Sequence, residues 1–158
     1  MTLEEIKTIE DVLKVVQETI ANDAEIEHFC QLKYAKSFKV FQGIDEDNPP
    51  TQSDYPIVAI FSINRARRGE SSKFVEYDVA IGIGVLNEKK EVDGNKITYP
   101  GMAEAERLRE LVEASIFGKV AHKVDVSGET SSEIIFPLFR SDTIVRLSYV
   151  QTNREAVK

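Results

Sequence analysis

Between residues 8 and 22 the apolar positions Ile9, Val12, Leu13, Val16 and Ile20 recur at three- and four-residue steps. That spacing predicts an amphipathic helix with one apolar stripe. Thr8 stands where an N-cap belongs, and Glu10 and Asp11 put carboxylates in the first turn, where the helix dipole favours them. "AND" (21–23) breaks the pattern, and Asp23 is placed to cap a second, shorter helix over 24–34 with Ile26, Phe29 and Cys30 inward.

The period then changes from helical to alternating. "SFKVFQG" (37–43) predicts a strand, and "IDEDNPPTQSDYP" (44–56), with its carboxylates and Asn-Pro-Pro step, a loop. "PIVAIFSIN" (56–64) is apolar on both alternating faces, as an inner strand covered on both sides would be. In "KFVEYDVAIGIGVLN" (73–87), Val75, Tyr77, Val79, Ile81, Ile83 and Val85 share one face. Phe74, Glu76, Asp78, Ala80, Gly82 and Gly84 share the other. The two runs predict a long hairpin with "RARRGESS" at its tip and Gly69 in the turn. "EVDGNKITY" carries Asp93-Gly94, a strong signal for a second hairpin.

Residues 101–120 predict the longest helix, with Leu108, Leu111, Val112 and Ile116 as its core stripe, Glu104–Arg107 and Glu106–Arg109 as i,i+3 pairs, and Gly118 near its end. "VDVSGETSSEIIFPLFRSDTIVRLSYV" reads as two or three strands, with Pro137 confining its strand to an edge or a bulge. The sum is one α+β domain over 1–158, with helices packed on one face of a mostly antiparallel sheet. About seven N-terminal and about eight C-terminal residues are expected to be flexible ends.

Composition narrows the function. With 42% apolar and 30% charged residues, the chain is an ordinary globular domain. Its 20 basic residues face 27 acidic ones, and the net charge of −7 opposes general attraction to nucleic acid or anionic membrane. A lone cysteine excludes an intrachain disulfide. The acidic first residues lack a signal core, and no apolar run approaches a membrane span, so a cytoplasmic product without membrane contact is expected.

Candidate chemistry is sparse. Glu25, His28 and Cys30 offer half of a metal motif and lack the second half. Cys30 lies on an apolar stripe, as a structural thiol does. "AIGIGVLN" is followed by no helix, so its glycines are not a dinucleotide loop. The carboxylates 104, 106, 110 and 113 share a helix with arginines and read as a solvated face. No catalytic residue, cofactor or metal site is expected.

Two features stand apart. Gly82 and Gly84 weaken a strand interior, and such glycines mark either close approach by another group or a bulge. Arg65, Arg67, Arg68 and Lys73 gather more positive charge at the hairpin tip than solvation needs. The acidic loop at Asp45, Glu46 and Asp47 is a complementary partner on a second copy, and a head-to-tail contact of that kind closes into a ring.

The order of elements resembles tailed-phage tail terminator or tail-completion proteins, also called minor tail or neck proteins. The resemblance runs over residues 8–150 and lies in the N-terminal helix, the hairpin "YPIVAIFSINRARRGESSKFVEYDVAIGIGV", the helix "GMAEAERLRELVEASIF" and the closing strands "EIIFPLFRSDTIVRLSYV". It implies a non-enzymatic structural protein whose homo-oligomeric ring, commonly a hexamer, caps the tail tube and meets the head-completion proteins. It also implies assembly in the cytoplasm and a final place in the virion tail. The arginines would then form a basic collar gripping protein, with DNA contact allowed but not favoured. Two other classes stay open: a small-molecule-binding or enzymatic domain walled by the Gly82/Gly84 face, and a nucleic-acid-binding module using the arginine hairpin.

Overall fold

The computed structural model describes residues 2–6, 8–67 and 73–150, and for 64–67 and 127–132 the backbone only. The chain begins with a 3-10 turn, Leu3–Glu5, closed by a capping box between Thr2 and Glu5. Ile6 behind it is buried. Leu3 packs partly buried against the same core.

Helix α1 (Ile9–Ala21) starts at Thr8, whose hydroxyl accepts from the Asp11 amide at 3.2 Å while the Asp11 carboxylate accepts from the Thr8 amide at 3.1 Å. This reciprocal cap satisfies two orphan amides at the helix end. Val12, Val16 and Ile20 are its buried stripe. Helix α2 (Ala24–Tyr34) is capped by Asp23, which accepts from the Glu25 and Ile26 amides. It ends at Ala35, whose φ of 56° is left-handed.

Five strands form the main sheet: β1 (Lys39–Gln42), β2 (Ile57–Arg67), β3 (Phe74–Leu86), β6 (Lys123–Ile135) and β7 (Leu138–Val150). Their order is β1-β2-β3-β7-β6, antiparallel except for the parallel pair β1 and β2. A small exposed hairpin, β4 (Glu91–Asp93) with β5 (Lys96–Thr98), turns at Gly94. Helix α3 (Pro100–Ile116) follows, with proline in its first turn.

The helices cover one face of the sheet. Val58, Ile60, Val79, Ile81, Ile83, Val85, Val145 and Leu147 bury there against Val12, Val16, Ile20, Leu108, Val112 and Ile116. Gly101 lies so close to Phe139 that a Cβ there would run into the phenyl ring. Phe136 stacks edge-on between Tyr99 and Phe139, at 5.3 and 6.3 Å between centroids.

Several expectations need correcting. Pro137 interrupts no strand: with Phe136 it makes the turn joining β6 to β7. Helix α3 ends at Ile116, four residues early, because Phe117 is extended and Gly118 left-handed. Strand β2 is an inner strand, but its two-sided cover stops at Ile60; Phe61 and Ile63 are exposed. Strand β2 also runs further than expected, so the backbones of Arg65 and Arg67 lie in the ladder opposite Tyr77 and Val75 rather than on a turn. Arg68, Gly69 and the C-terminal tail from 151 lie outside the described residues. No described helix is long and apolar enough to cross a membrane.

Candidate functional site: the sheet face away from the helices

The face opposite the helices can be read row by row from the register. Ile57, Gly84 and Arg140 are neighbours across β2, β3 and β7. Ala59, Gly82 and Asp142 form the next row, and Phe61, Ala80 and Ile144 the third. The central column is thus Ala80, Gly82 and Gly84, with side chains standing on both sides of it. The result is a trough along β3.

The segment between β1 and β2 lies over this trough. A Cβ on Gly84 would come within 2.8 Å of Tyr55 Cε1 and 3.3 Å of Ile57 Cγ1, so the Tyr55 ring occupies the space that glycine vacates. Strands β3 and β7 stay in unbroken register from Phe74 to Leu86, and the irregularity of the β2–β3 pair lies between Ser62 and Asn64. The glycines therefore sit in regular strand under a close neighbour. Roof and trough enclose a pocket of about 780 Å3. Ile44, Pro49, Pro50 and Tyr55 form its roof, and Phe61, Leu138 and Ile144 add apolar wall. Arg140 and Asp142 line the β7 side, and Arg140 Nη1 donates to Glu133 Oε2 at 3.2 Å. The volume and the mostly apolar lining with a few polar groups are those of small-ligand pockets.

Further along the same face, Arg146 holds Asp78 through two hydrogen bonds, Nε to Oδ1 at 2.8 Å and Nη2 to Oδ2 at 3.1 Å, and reaches Glu76 at 3.5 Å. Hydrogen bonding from Arg146 keeps the Asp78 carboxyl below its ordinary value. A depressed folded-state pKa gives stability that is present above the unfolded value and is lost as pH falls through the folded one. The stability gap between the protein and Asp78→Asn should therefore be constant at neutral pH and close as pH drops below about 4, the ordinary Asp value. Urea unfolding at a series of pH values checks this, and a gap that persists into acid would remove Asp78 as its source.

The other candidates fall elsewhere. Asp45, Glu46 and Asp47 are exposed beside Ile44, and the Asp45 carboxylate accepts from the Asp47 amide at 3.0 Å, so part of the acidic run shapes its own turn. Lys73 is exposed, and the side chains of Arg65 and Arg67 and all of Arg68 lie outside the described residues. His28 is exposed while Cys30 is buried, and burial pushes the Cys30 thiol up to about 12. His122 Nδ1 accepts from the Val150 amide at 3.2 Å. Among the described residues no three His, Cys, Asp or Glu side chains are grouped to hold a metal.

Of the four α3 carboxylates only Glu110 keeps to the solvated face that their spacing predicts; Glu104, Glu106 and Glu113 are partly buried. Glu104 accepts from the Tyr34 hydroxyl at 2.9 Å and from the Asn87 amide, and its expected pair with Arg107 does not form; Arg107 meets Glu110 instead. Glu106 and Glu113 both bind Arg109, whose side chain is 15% exposed, and Ser141 donates to Glu106 while accepting from Arg109. The Glu106–Arg109 pair thus forms at its expected helical spacing, while Tyr34, Asn87 and Ser141, which no helical spacing encodes, engage Glu104 and Glu106 from other elements.

Sequence reading missed Tyr55, Arg140 and Asp142 as pocket residues. Alternation puts Arg140 and Asp142 on one strand face, but only the β3–β7 register brings them beside the glycines. No protein-family model matches the chain, and no curated protein matches it either.

Proposed function

We propose that the chain is a structural subunit of a homo-oligomeric ring, hexameric in the proteins it resembles, that caps a phage or prophage tail tube and joins it to the head. The observation that carries this reading is a sheet clothed by helices on one side only. On β2 Phe61 and Ile63, and at the ends of β3 and β7 the paired Phe74 and Val150, remain exposed, and exposed apolar side chains of this size favour an interaction surface. Charge adds direction. Tyr55, from the β1–β2 segment that also carries the acidic run, packs against Gly84, and the arginine-bearing stretch of β2 pairs with the Phe74 end of β3. Opposite charges carried by separate segments of one chain favour a heterologous contact between copies, and such a contact closes into a ring where the rotation allows it. With a net charge of −7, protein is the better partner than DNA for the arginines. Assembly would take place in the cytoplasm, and the finished ring would stay in the tail.

Light scattering at low and high salt tests the reading. The expected result is a species several times the 17.8 kDa chain mass that loosens with salt, and its loss on combined Arg65→Glu, Arg67→Glu and Arg68→Glu exchange. A strict monomer at every concentration that also fails to cap tail tubes in electron micrographs would overturn it.

A further inference from the structure

Arg140 and Arg146 share one face of β7, and the sheet treats them differently. Opposite Arg146 on β3 is Asp78, whose carboxylate takes the side edge of the guanidinium, Nε at 2.8 Å and Nη2 at 3.1 Å. Opposite Arg140 is Gly84, which brings no carboxylate. Glu133, the cross-strand neighbour on β6, engages Nη1 at 3.2 Å. The Nε–Nη2 edge of Arg140 has no partner among the described residues. The pair with Glu133 is itself open to water, with side chains 47% and 55% exposed, and pairs of that kind hold weakly.

Arg140 also lines the pocket beneath the β1–β2 segment, where it is the one cation and Asp142 the one anion among the described lining residues. Neither glycine of β3 gives open floor. The Tyr55 ring stands over Gly84, and the Asp142 carboxylate lies 3.0 Å from where a Gly82 side chain would begin. Asp142 has a partner of its own within the chain and keeps that place. The other walls are apolar, with Ala59, Phe61, Ala80 and Ile144 on the sheet and Pro49 and Pro50 on the roof. From Arg140 to Ile144 the strand advances about 13 Å, the length of an extended chain of about ten carbons.

We propose that this pocket binds a medium-chain aliphatic monocarboxylate. The carboxylate takes the Nε–Nη2 edge of Arg140 in the two-bond grip that Arg146 makes on Asp78, and Nη1 stays with Glu133. The hydrocarbon chain lies against the alanines, Phe61 and Ile144 beneath the proline roof. Paired charge-assisted bonds fix the head, and burial of the chain supplies most of the affinity. Asp142 stays where it is and sets a limit: a second carboxylate on the ligand would be driven toward that charge and into apolar surroundings. Every group in the site belongs to one chain, so binding does not depend on ring assembly.

Calorimetry and saturation-transfer NMR on the full chain test the site with decanoate, decanol, decyltrimethylammonium and decanedioate, all below micelle-forming concentrations. Decanoate should bind, decanol and decanedioate about tenfold more weakly, and the ammonium compound more weakly still. Arg140→Met should lower decanoate affinity about tenfold, the effect of losing hydrogen bonds to a charged group, and leave decanol unchanged. Glu133→Gln removes the neighbouring carboxylate from an exposed position and should tighten decanoate binding, which a merely structural pair would not do. If Arg140→Met fails to fold, Glu133→Gln and the ligand series carry the test. Absence of decanoate binding at millimolar concentration, decanol or the ammonium compound binding as tightly as decanoate, unchanged binding by Arg140→Met, or weaker binding by Glu133→Gln overturns the proposal. Light scattering on the same samples separates this outcome from that of the ring: a monomer that binds decanoate sinks the ring and leaves the pocket, and a ring indifferent to decanoate does the reverse.

Discussion

Phe139→Ala is expected to destabilise the fold by about 3–5 kcal/mol, the range for emptying a buried phenylalanine site. Phe139 is 1% exposed and belongs to the core cluster on the helix-covered face of β7. Its ring also fills the space that Gly101 leaves at the start of α3, so helix and sheet approach through a glycine–phenyl contact. The converse change, Gly101→Ala, inserts a methyl group into the ring's place and should cost about 1–3 kcal/mol by overpacking. The two effects are coupled. Combined with Phe139→Leu, Gly101→Ala should cost clearly less than it does alone, since the smaller side chain yields the room. Denaturant titration of the four proteins measures the cycle, and strictly additive losses would mean that the two positions do not meet.

Arg109→Met is the second large effect, at about 2–3 kcal/mol. Arg109 is bound by Glu106 at 2.9 Å and by Glu113 at 2.6 Å, and the Ser141 hydroxyl bridges it to Glu106. Methionine keeps most of the length and the apolar stem but removes every donor. It leaves two carboxylates facing each other on one helix and a fully buried serine without its arginine. Stranding partners in this way costs more than an exposed ion pair is worth. The triple change Glu106→Gln, Arg109→Met, Glu113→Gln should recover much of the loss, because no like charges then remain together. Thermal unfolding checks both, and a triple variant no better than Arg109→Met would place the cost in packing instead.

What could be read from the sequence follows the range of each interaction. Thr8, Asp11 and Asp23 announce their helices because a cap acts within three residues. The alternation of Val75 through Val85 announces a strand and the face it buries because the pleat repeats every two. The glycine face stood out for a local reason too, since Gly82 and Gly84 interrupt a run of good strand formers. Its neighbours did not. Tyr55 reaches Gly84 from a loop about thirty residues earlier, and Arg140 and Asp142 arrive from a strand about sixty residues later, through a register that no local pattern records. Glu104 was misjudged in the same way: helical spacing offered Arg107, but Tyr34, seventy residues upstream, was the partner. The length of β2 was underestimated because arginine and asparagine are common in turns, whereas here the ladder with β3 carries them on to Arg67.

The strand order has a consequence for how the molecule comes into being. Strand β7 is the last described element of the chain, yet it lies between β3 and β6 and supplies hydrogen bonds to both. During synthesis, Phe74–Leu86 leaves the ribosome long before Leu138–Val150 exists to pair with it. Until then β3 has a partner on one side only, and β6 has none. The middle of the sheet is therefore the last part that can close, and loops of about sixty residues must be drawn in to close it, which makes folding slow compared with a helical bundle. A nascent chain halted before Leu138 would hold its helices and the β2–β3 hairpin with an open edge between them, the condition in which strands find the wrong partner.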